Sequence, residues 1–109
     1  MAQYVEFAIG DEIAHRTGGM EPCQMIFGGA SPKEDGSFDV QVALFKSAAG
    51  YAGMGASFTW NVREGDRVRL GHNYKAYEEP DRRKKAGRIR GLYFHKIERD
   101  YLTITYEWM

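Results

Sequence analysis

The feature that most constrains the fold is an alternation of apolar and polar side chains with a period of two residues. The C-terminal segment DYLTITYEWM, residues 100–109, places an apolar side chain at every second position from Leu102 to Trp108. Because a β-strand points successive side chains to opposite faces, this pattern predicts a half-buried strand. The same period runs through FDVQVALFK (38–46), SFTWNV (57–62), YVEFAI (4–9) and DRVRL (66–70).

Glycine and aspartate lie between these runs, where tight turns need residues that tolerate a positive φ. In KEDGSF, residues 33–38, an Asp-Gly pair is flanked by extended residues, which predicts a hairpin. VREGDRV, residues 62–68, is predicted to join two adjacent strands. A turn at 98–100 is predicted to pair residues 89–97 with residues 101–108.

The fold class follows from these strands and from the scarcity of helical patterns. No segment carries an apolar stripe of helical period over ten or more residues, and the best candidate is one turn at Tyr74–Glu79, ended by Pro80. Residues 1–109 are therefore predicted to form a single all-β domain. The predicted architecture is a small antiparallel β-sandwich or partly open β-barrel of about seven to eight strands, with a long basic loop around 72–87.

Charge is distributed unevenly along a chain whose formal net charge is zero. Residues 1–62 hold three basic and seven acidic residues, whereas residues 63–109 hold twelve basic and eight acidic residues. This asymmetry predicts an acidic side and a basic side, unless the two halves interleave in space. Separated charges of this kind permit head-to-tail self-association or a charged partner.

The most basic stretch is EEPDRRKKAGRIRGLYF, residues 78–94, and three interpretations of it remain open. It can be a solvated loop whose charge is balanced by the preceding acids. It can be a nucleic-acid site, with Tyr93 or Phe94 as a stacking platform. It can be a protein interface, where arginine and tyrosine are enriched. Its candidate contact residues are Arg82, Arg83, Lys84, Lys85, Arg88 and Arg90.

Two observations place the protein interface ahead of nucleic acid. The sequence pI is 6.8, whereas nucleic-acid-binding domains commonly exceed about 9. Glu78, Glu79 and Asp81 would also repel phosphate at close range. The chain carries no RNP1 motif, zinc-knuckle spacing or helix-turn-helix pattern.

A second unusual stretch is SAAGYAGMGAS, residues 47–57, in which small residues surround Tyr51 and Met54. It can be a binding loop that uses Tyr51 and Met54 as adaptable contacts. It can also be a plain strand-to-strand connection with Tyr51 folded onto the core. It lacks the lysine and hydroxyl of a phosphate-binding loop.

Candidates for catalysis or metal binding are few. The three histidines and the cysteine have no zinc-ligand spacing. His95 is predicted to be a packed or hydrogen-bonded strand residue, His72 a loop residue, and Cys23 a small apolar strand residue. Acidic pairs such as Asp11-Glu12 and Glu34-Asp35 are predicted to serve turns. The sequence thus predicts no catalytic residue, metal or cofactor, although an enzyme with a site assembled from distant His, Cys and acidic residues remains an alternative.

The function predicted from sequence is non-catalytic binding of a protein partner, as in inhibitor, immunity, accessory or assembly proteins. The predicted partner can also be a second copy of the chain, in which case the protein would form a homo-oligomer. Nucleic-acid binding through residues 82–90 is the alternative. A single cysteine, no apolar run of about 20 residues and no signal peptide predict a cytoplasmic protein with no membrane contact.

Overall fold

The computed structural model describes residues 4–16, 23–46, 53–77 and 86–109, and every regular element in these ranges is a β-strand. No helix in these ranges has the length and apolar character needed to cross a membrane. The prediction of an all-β domain is confirmed. The eight strands are β1 (Val5–Ala8), β2 (Glu12–Arg16), β3 (Cys23–Pro32), β4 (Phe38–Lys46), β5 (Gly53–Val62), β6 (Arg67–Tyr77), β7 (Ala86–Ile97) and β8 (Tyr101–Trp108).

All eight strands belong to one antiparallel sheet with the order β1-β8-β7-β6-β2-β3-β4-β5. The two hairpins predicted at residues 33–38 and 98–100, β3–β4 and β7–β8, are confirmed by their pairing registers. The terminal strands β1 and β8 pair with each other at one side of the sheet. The first and last strands therefore both belong to the sheet, as the alternation in their sequences predicts.

The turn at residues 63–66 does not join neighbouring strands, so that prediction is wrong. β5 lies at one edge of the sheet and pairs with β4, whereas β6 pairs with β7 and β2. The turn is held against β7, because the Gly65 N–H donates to the Phe94 carbonyl and the Phe94 N–H donates to the Asp66 carbonyl. The chain thus passes from the edge of the sheet to its middle, and local turn chemistry does not determine such a crossing.

The sheet bends strongly, which brings distant strands together without closing it. The Ala30 N–H donates to the Arg99 carbonyl at 2.8 Å, so the C-terminal part of β3 meets the β7–β8 turn. Gly29 lies at this contact, and its φ is +103°. A Cβ atom added to Gly29 would lie only 3.2 Å from the Arg99 carbonyl oxygen. In the described ranges the edge strands β1 and β5 do not pair with each other. One bent, open sheet therefore encloses the core.

The core is formed by the inward side chains that the alternation identified. Leu102 and Ile104 are fully buried, and so are Val40 and Val42 on the predicted inner face of β4. Trp60 of β5 packs its ring edge-on against Phe94 of β7, with the ring centroids 5.9 Å apart. The bend of the sheet thus lets its two halves cover each other's apolar face. In a flat single sheet this apolar surface would remain in contact with water.

β6 is longer than predicted, and the segment from Tyr74 onward is a strand rather than a helical turn. Residues 72–77 extend β6 and residues 86–87 begin β7, so the predicted basic loop around 72–87 is shorter than expected. His72 therefore lies in a strand, not in a loop. The reason is tertiary: Tyr74 and Ala76 are buried, and this part of β6 pairs with β2 on one side and β7 on the other.

The Tyr106 hydroxyl ties β8 to β2 by donating a hydrogen bond to the Ile13 carbonyl oxygen. Burial raises the pKa of Tyr106 well above its usual range. We expect Tyr106→Phe to lower the free energy of unfolding by about 1–3 kcal/mol, because the buried carbonyl loses its donor. Urea denaturation measures this difference. Tyr101→Phe, at an exposed position of the same strand, is the control, and an equal loss in both variants would contradict the role of the hydrogen bond.

Candidate binding face

Two of the residues predicted to contact a partner, Arg88 and Arg90, lie in β7 with exposed side chains. Met54 lies in β5, where its backbone pairs with Phe45 of β4. The remaining predicted residues fall outside the described ranges, and their contacts stay a prediction: Arg82, Arg83, Lys84, Lys85 and Tyr51. The face can therefore be built from Arg88, Arg90 and the residues that the sheet places beside them.

A β-bulge presents Arg90 to solvent. Ile89 pairs with Trp108 and Gly91 pairs with Glu107, so Arg90 is an extra residue without an opposite partner on β8. Such a bulge shifts the alternation by one residue. As a result Ile89 and Leu92 both point into the core. In a regular strand, residues three positions apart would point to opposite faces. The outward side of β7 gains an arginine at this point.

A second bulge in β7 presents His95. Phe94 pairs with Ile104 and Lys96 pairs with Thr103, which leaves His95 as the extra residue. Its Nε2 lies 2.6 Å from the Thr105 hydroxyl oxygen, and its ring lies between those of Tyr4 and Tyr93, with centroid distances of 4.3 and 4.6 Å. The prediction that His95 is a hydrogen-bonded strand residue is confirmed.

β6 contributes further cations to the same side of the sheet. Arg67 lies opposite Tyr93, Arg69 lies opposite Gly91, and Lys75 lies opposite Arg88. We call the resulting surface the arginine face, and it consists of Arg67, Arg69, Lys75, Arg88 and Arg90. Sequence reasoning missed Arg67, Arg69 and Lys75. For Arg67 and Arg69 the outward orientation could be read from DRVRL, because an inward Val68 requires its two neighbours to point outward, but their position beside Arg90 could not.

Like charges face each other on this surface. Lys75 lies directly opposite Arg88, and on its other side it lies opposite His15 of β2. Arg67 has an acidic partner, with its Nη1 3.3 Å from Glu107 Oε2. Among the residues that the structure describes, Arg69, Lys75 and Arg90 form no ion pair. Positive charge is therefore concentrated on this side of the sheet, where Arg69, Lys75 and Arg90 supply cations that no described carboxylate pairs with.

The sheet order preserves much of the charge asymmetry of the sequence. β6, β7 and β8 all come from the basic half of the chain and lie side by side. β1 and β2, from the acidic half, border this block, so the two halves interleave only at its margins. The arginine face thus occupies one continuous region.

Tyr93 and Phe94, the two predicted stacking platforms, have opposite environments. Phe94 is fully buried in the core, so the prediction that it could stack on bases is wrong. Tyr93 is 39% exposed and lies across from Arg67 on the outer side. Only Tyr93 of this pair can contact a partner.

The candidates for catalysis do not converge in the described part of the chain. Cys23 is buried at the start of β3, while His15 lies in the next strand with its Nδ1 3.9 Å from Glu12 Oε1. His95 lies on the far part of β7, beside Thr105. No group of three or more His, Cys, Asp or Glu side chains in the described ranges is arranged to hold a metal ion.

The acidic residues at turns serve backbone geometry, as predicted. Asp11 Oδ2 accepts a hydrogen bond from the Ala8 N–H. Asp35 Oδ1 accepts hydrogen bonds from both the hydroxyl and the N–H of Ser37, and these bonds lower the pKa of Asp35. Carboxylates held in this way stabilise the turns in which they lie.

Comparisons of the chain with protein-family models, with curated proteins and with solved structures found no match. A functional assignment therefore has to come from the residues of the chain itself.

Proposed function

We propose that this chain is a non-catalytic binding domain that recognises an acidic protein surface through the arginine face. The observation that carries the proposal is the group of cations that β6 and β7 place on one side of the sheet, of which Arg69, Lys75 and Arg90 form no ion pair with another described residue. By analogy of class alone, such a role suits small inhibitor, immunity, accessory or assembly proteins. A reducing compartment such as the cytoplasm suits the buried free thiol of Cys23.

The chemistry of the face favours carboxylates as the groups it binds. Arginine presents a rigid, planar set of donors that matches a carboxylate with two parallel hydrogen bonds. Neighbouring strands are about 4.8 Å apart, so cations on β6 and β7 form a compact, positively charged patch. Such a patch increases the rate of association with an acidic surface and makes the affinity depend on salt.

Charge reversal tests the proposal with a labelled polyglutamate peptide followed by fluorescence anisotropy. We expect Arg90→Glu to weaken binding about tenfold or more at low salt, since it replaces an attraction with a repulsion. Arg99→Glu makes the same change in net charge at the exposed β7–β8 turn and is the matched control. Equal weakening in the two variants, or no binding of the peptide to the unmodified protein, would overturn the proposal.

Nucleic-acid binding is a second candidate, favoured by the exposed Tyr93 beside Arg67 on the same face. Stacking of a base on a tyrosine contributes about 1–3 kcal/mol per base. The same assay with single- and double-stranded oligonucleotides separates the two candidates. If an oligonucleotide binds more tightly than polyglutamate, and Tyr93→Ala abolishes that binding, the protein-partner proposal fails.

A further inference from the structure

The outer edge of β5 is a second surface that needs an explanation. β5 spans Gly53–Val62 and pairs with β4, and no strand in the described ranges lies on its other side. The opposite edge of the sheet, β1, has only four residues and carries Glu6. A short, charged edge is protected against further pairing, whereas a long, neutral edge is not. The two edges of this sheet therefore differ in their capacity to accept another strand.

The hydrogen-bond pattern identifies which backbone groups of β5 point away from the sheet. The Lys33 N–H donates to the Ser37 carbonyl in the β3–β4 hairpin. In an antiparallel sheet the backbone N–H and C=O groups of successive residues point to alternate neighbouring strands. Those of Asp39 therefore point toward β3, and those of Val40 point toward β5, where Val40 pairs with Trp60. The N–H and C=O groups of Ser57, Thr59 and Asn61 therefore point outward, toward the free side of β5.

The side-chain contacts agree with this assignment. The Asn61 side-chain amide donates to Asp39 at 3.0 Å, and the Thr59 hydroxyl donates to Gln41 at 3.1 Å. Such contacts are typical of pairs whose backbones do not hydrogen-bond to each other, because their side chains are closer. The backbone groups of Thr59 and Asn61 are thus available to a strand that approaches from outside.

Residues 57–62 carry none of the features that protect an edge. Ser57, Thr59 and Asn61 are exposed and uncharged, and the segment has no lysine and no proline. On the inner side, Phe58 and Trp60 pack against the core but are only half-buried. The core is therefore incompletely covered where β5 ends the sheet.

We propose that two copies of this chain pair through β5, antiparallel and symmetric about Thr59. This register places Thr59 opposite Thr59 and Ser57 opposite Asn61 on the outer side. It also places Phe58 opposite Trp60 on the inner side. Thr–Thr and aromatic pairs are favourable across strands, and no like charges meet. Three pairs that each exchange two bonds add about six backbone hydrogen bonds.

This interface is independent of the proposed function. β5 is separated from β6 by β2, β3 and β4 in the sheet order, so the dimer leaves the arginine face open. Pairing of one edge buries less area than a standard interface, which indicates a dimer in equilibrium with the monomer. The partner is a second copy because the edge complements itself in charge and in the pairing of its side chains.

Sedimentation velocity from micromolar to millimolar concentration tests the dimer. We expect the average mass to rise from 12.4 kDa toward twice that value. Thr59→Pro removes the outward N–H, which the monomer does not use, and should leave a monomer at every concentration. Thr59→Val keeps the N–H and should dimerise like the unmodified protein.

A second variant tests the same dimer without proline, in case Thr59→Pro disturbs folding. Thr59→Lys keeps the N–H but places like charges opposite each other, which should raise the dimer dissociation constant about tenfold or more. Arg90→Glu should dimerise normally, which separates this result from the proposed function. An unmodified protein that remains at 12.4 kDa at millimolar concentration would overturn the proposal, as would dimers of Thr59→Lys that form as readily.

Discussion

Phe94→Ala is expected to lower the free energy of unfolding by about 3–5 kcal/mol, whereas Tyr93→Ala lowers it by about 1 kcal/mol or less. Phe94 is fully buried and packs against Trp60, so its removal leaves a cavity in the core. Tyr93 lies on the outer side and is 39% exposed, so water replaces its ring at small cost. Urea denaturation of the two variants and the unmodified protein measures the difference.

These two adjacent residues test the assignment of faces along β7. If Tyr93→Ala is as destabilising as Phe94→Ala, the strand is turned over and the arginine face does not point outward. An unchanged dependence of the unfolding free energy on urea concentration in both variants would show that the denatured states are comparable. The comparison then reports on the folded protein alone.

Gly91→Ala is expected to destabilise the protein by about 1–3 kcal/mol, because the new methyl group has no room. A Cβ at this position would lie 2.7 Å from the Val68 carbonyl oxygen, a backbone atom of the paired strand. That atom can move only if the β6–β7 pairing shifts with it. Thermal unfolding or urea denaturation measures the loss.

Gly71→Ala is the matched control for Gly91→Ala. Gly71 is an exposed residue of β6, and an added Cβ there meets no heavy atom within 4 Å. We expect a change in stability within about 0.5 kcal/mol. A Gly91→Ala protein as stable as this control would contradict the close approach of the two strands at the Arg90 bulge.

The parts of the fold that the sequence predicts are those with one face in the core and the other in water. In β8 the alternation from Leu102 to Trp108 matches the observed burial except at Trp108, which is 40% exposed. In β4 it correctly places Val40 and Val42 inside. The alternation alone is sufficient to predict which side chains of these strands are buried. With a period of two, a strand has only one orientation that buries its apolar side.

The inward and outward side chains of β7 could not be predicted in the same way. Its bulges at Arg90 and His95 each shift the alternation by one residue, so a continuous period of two fails along the strand. The position of a bulge depends on the pairing with β8, which the sequence of β7 does not contain. The same holds for β6, which advances five residues from Arg69 to Tyr74 while β7 advances two.

The site was predicted only in part for a related reason. Arg88 and Arg90 stand out because they follow a dense run of cations. Arg67, Arg69 and Lys75 join them through the β6–β7 register, which becomes known only when strand order is known. Residues 82–85 and Tyr51 lie outside the described ranges, and their participation stays a prediction.

The most direct test of the central claim is a map of the backbone amide signals of isotope-labelled protein during titration with polyglutamate. The arginine face predicts the largest chemical-shift changes at residues 67–69, 75 and 88–91. It predicts small changes at Arg99 and along β4, which lie away from the face. Largest changes on β3–β5, or changes spread evenly over the sheet, would contradict the claim that this face receives the partner.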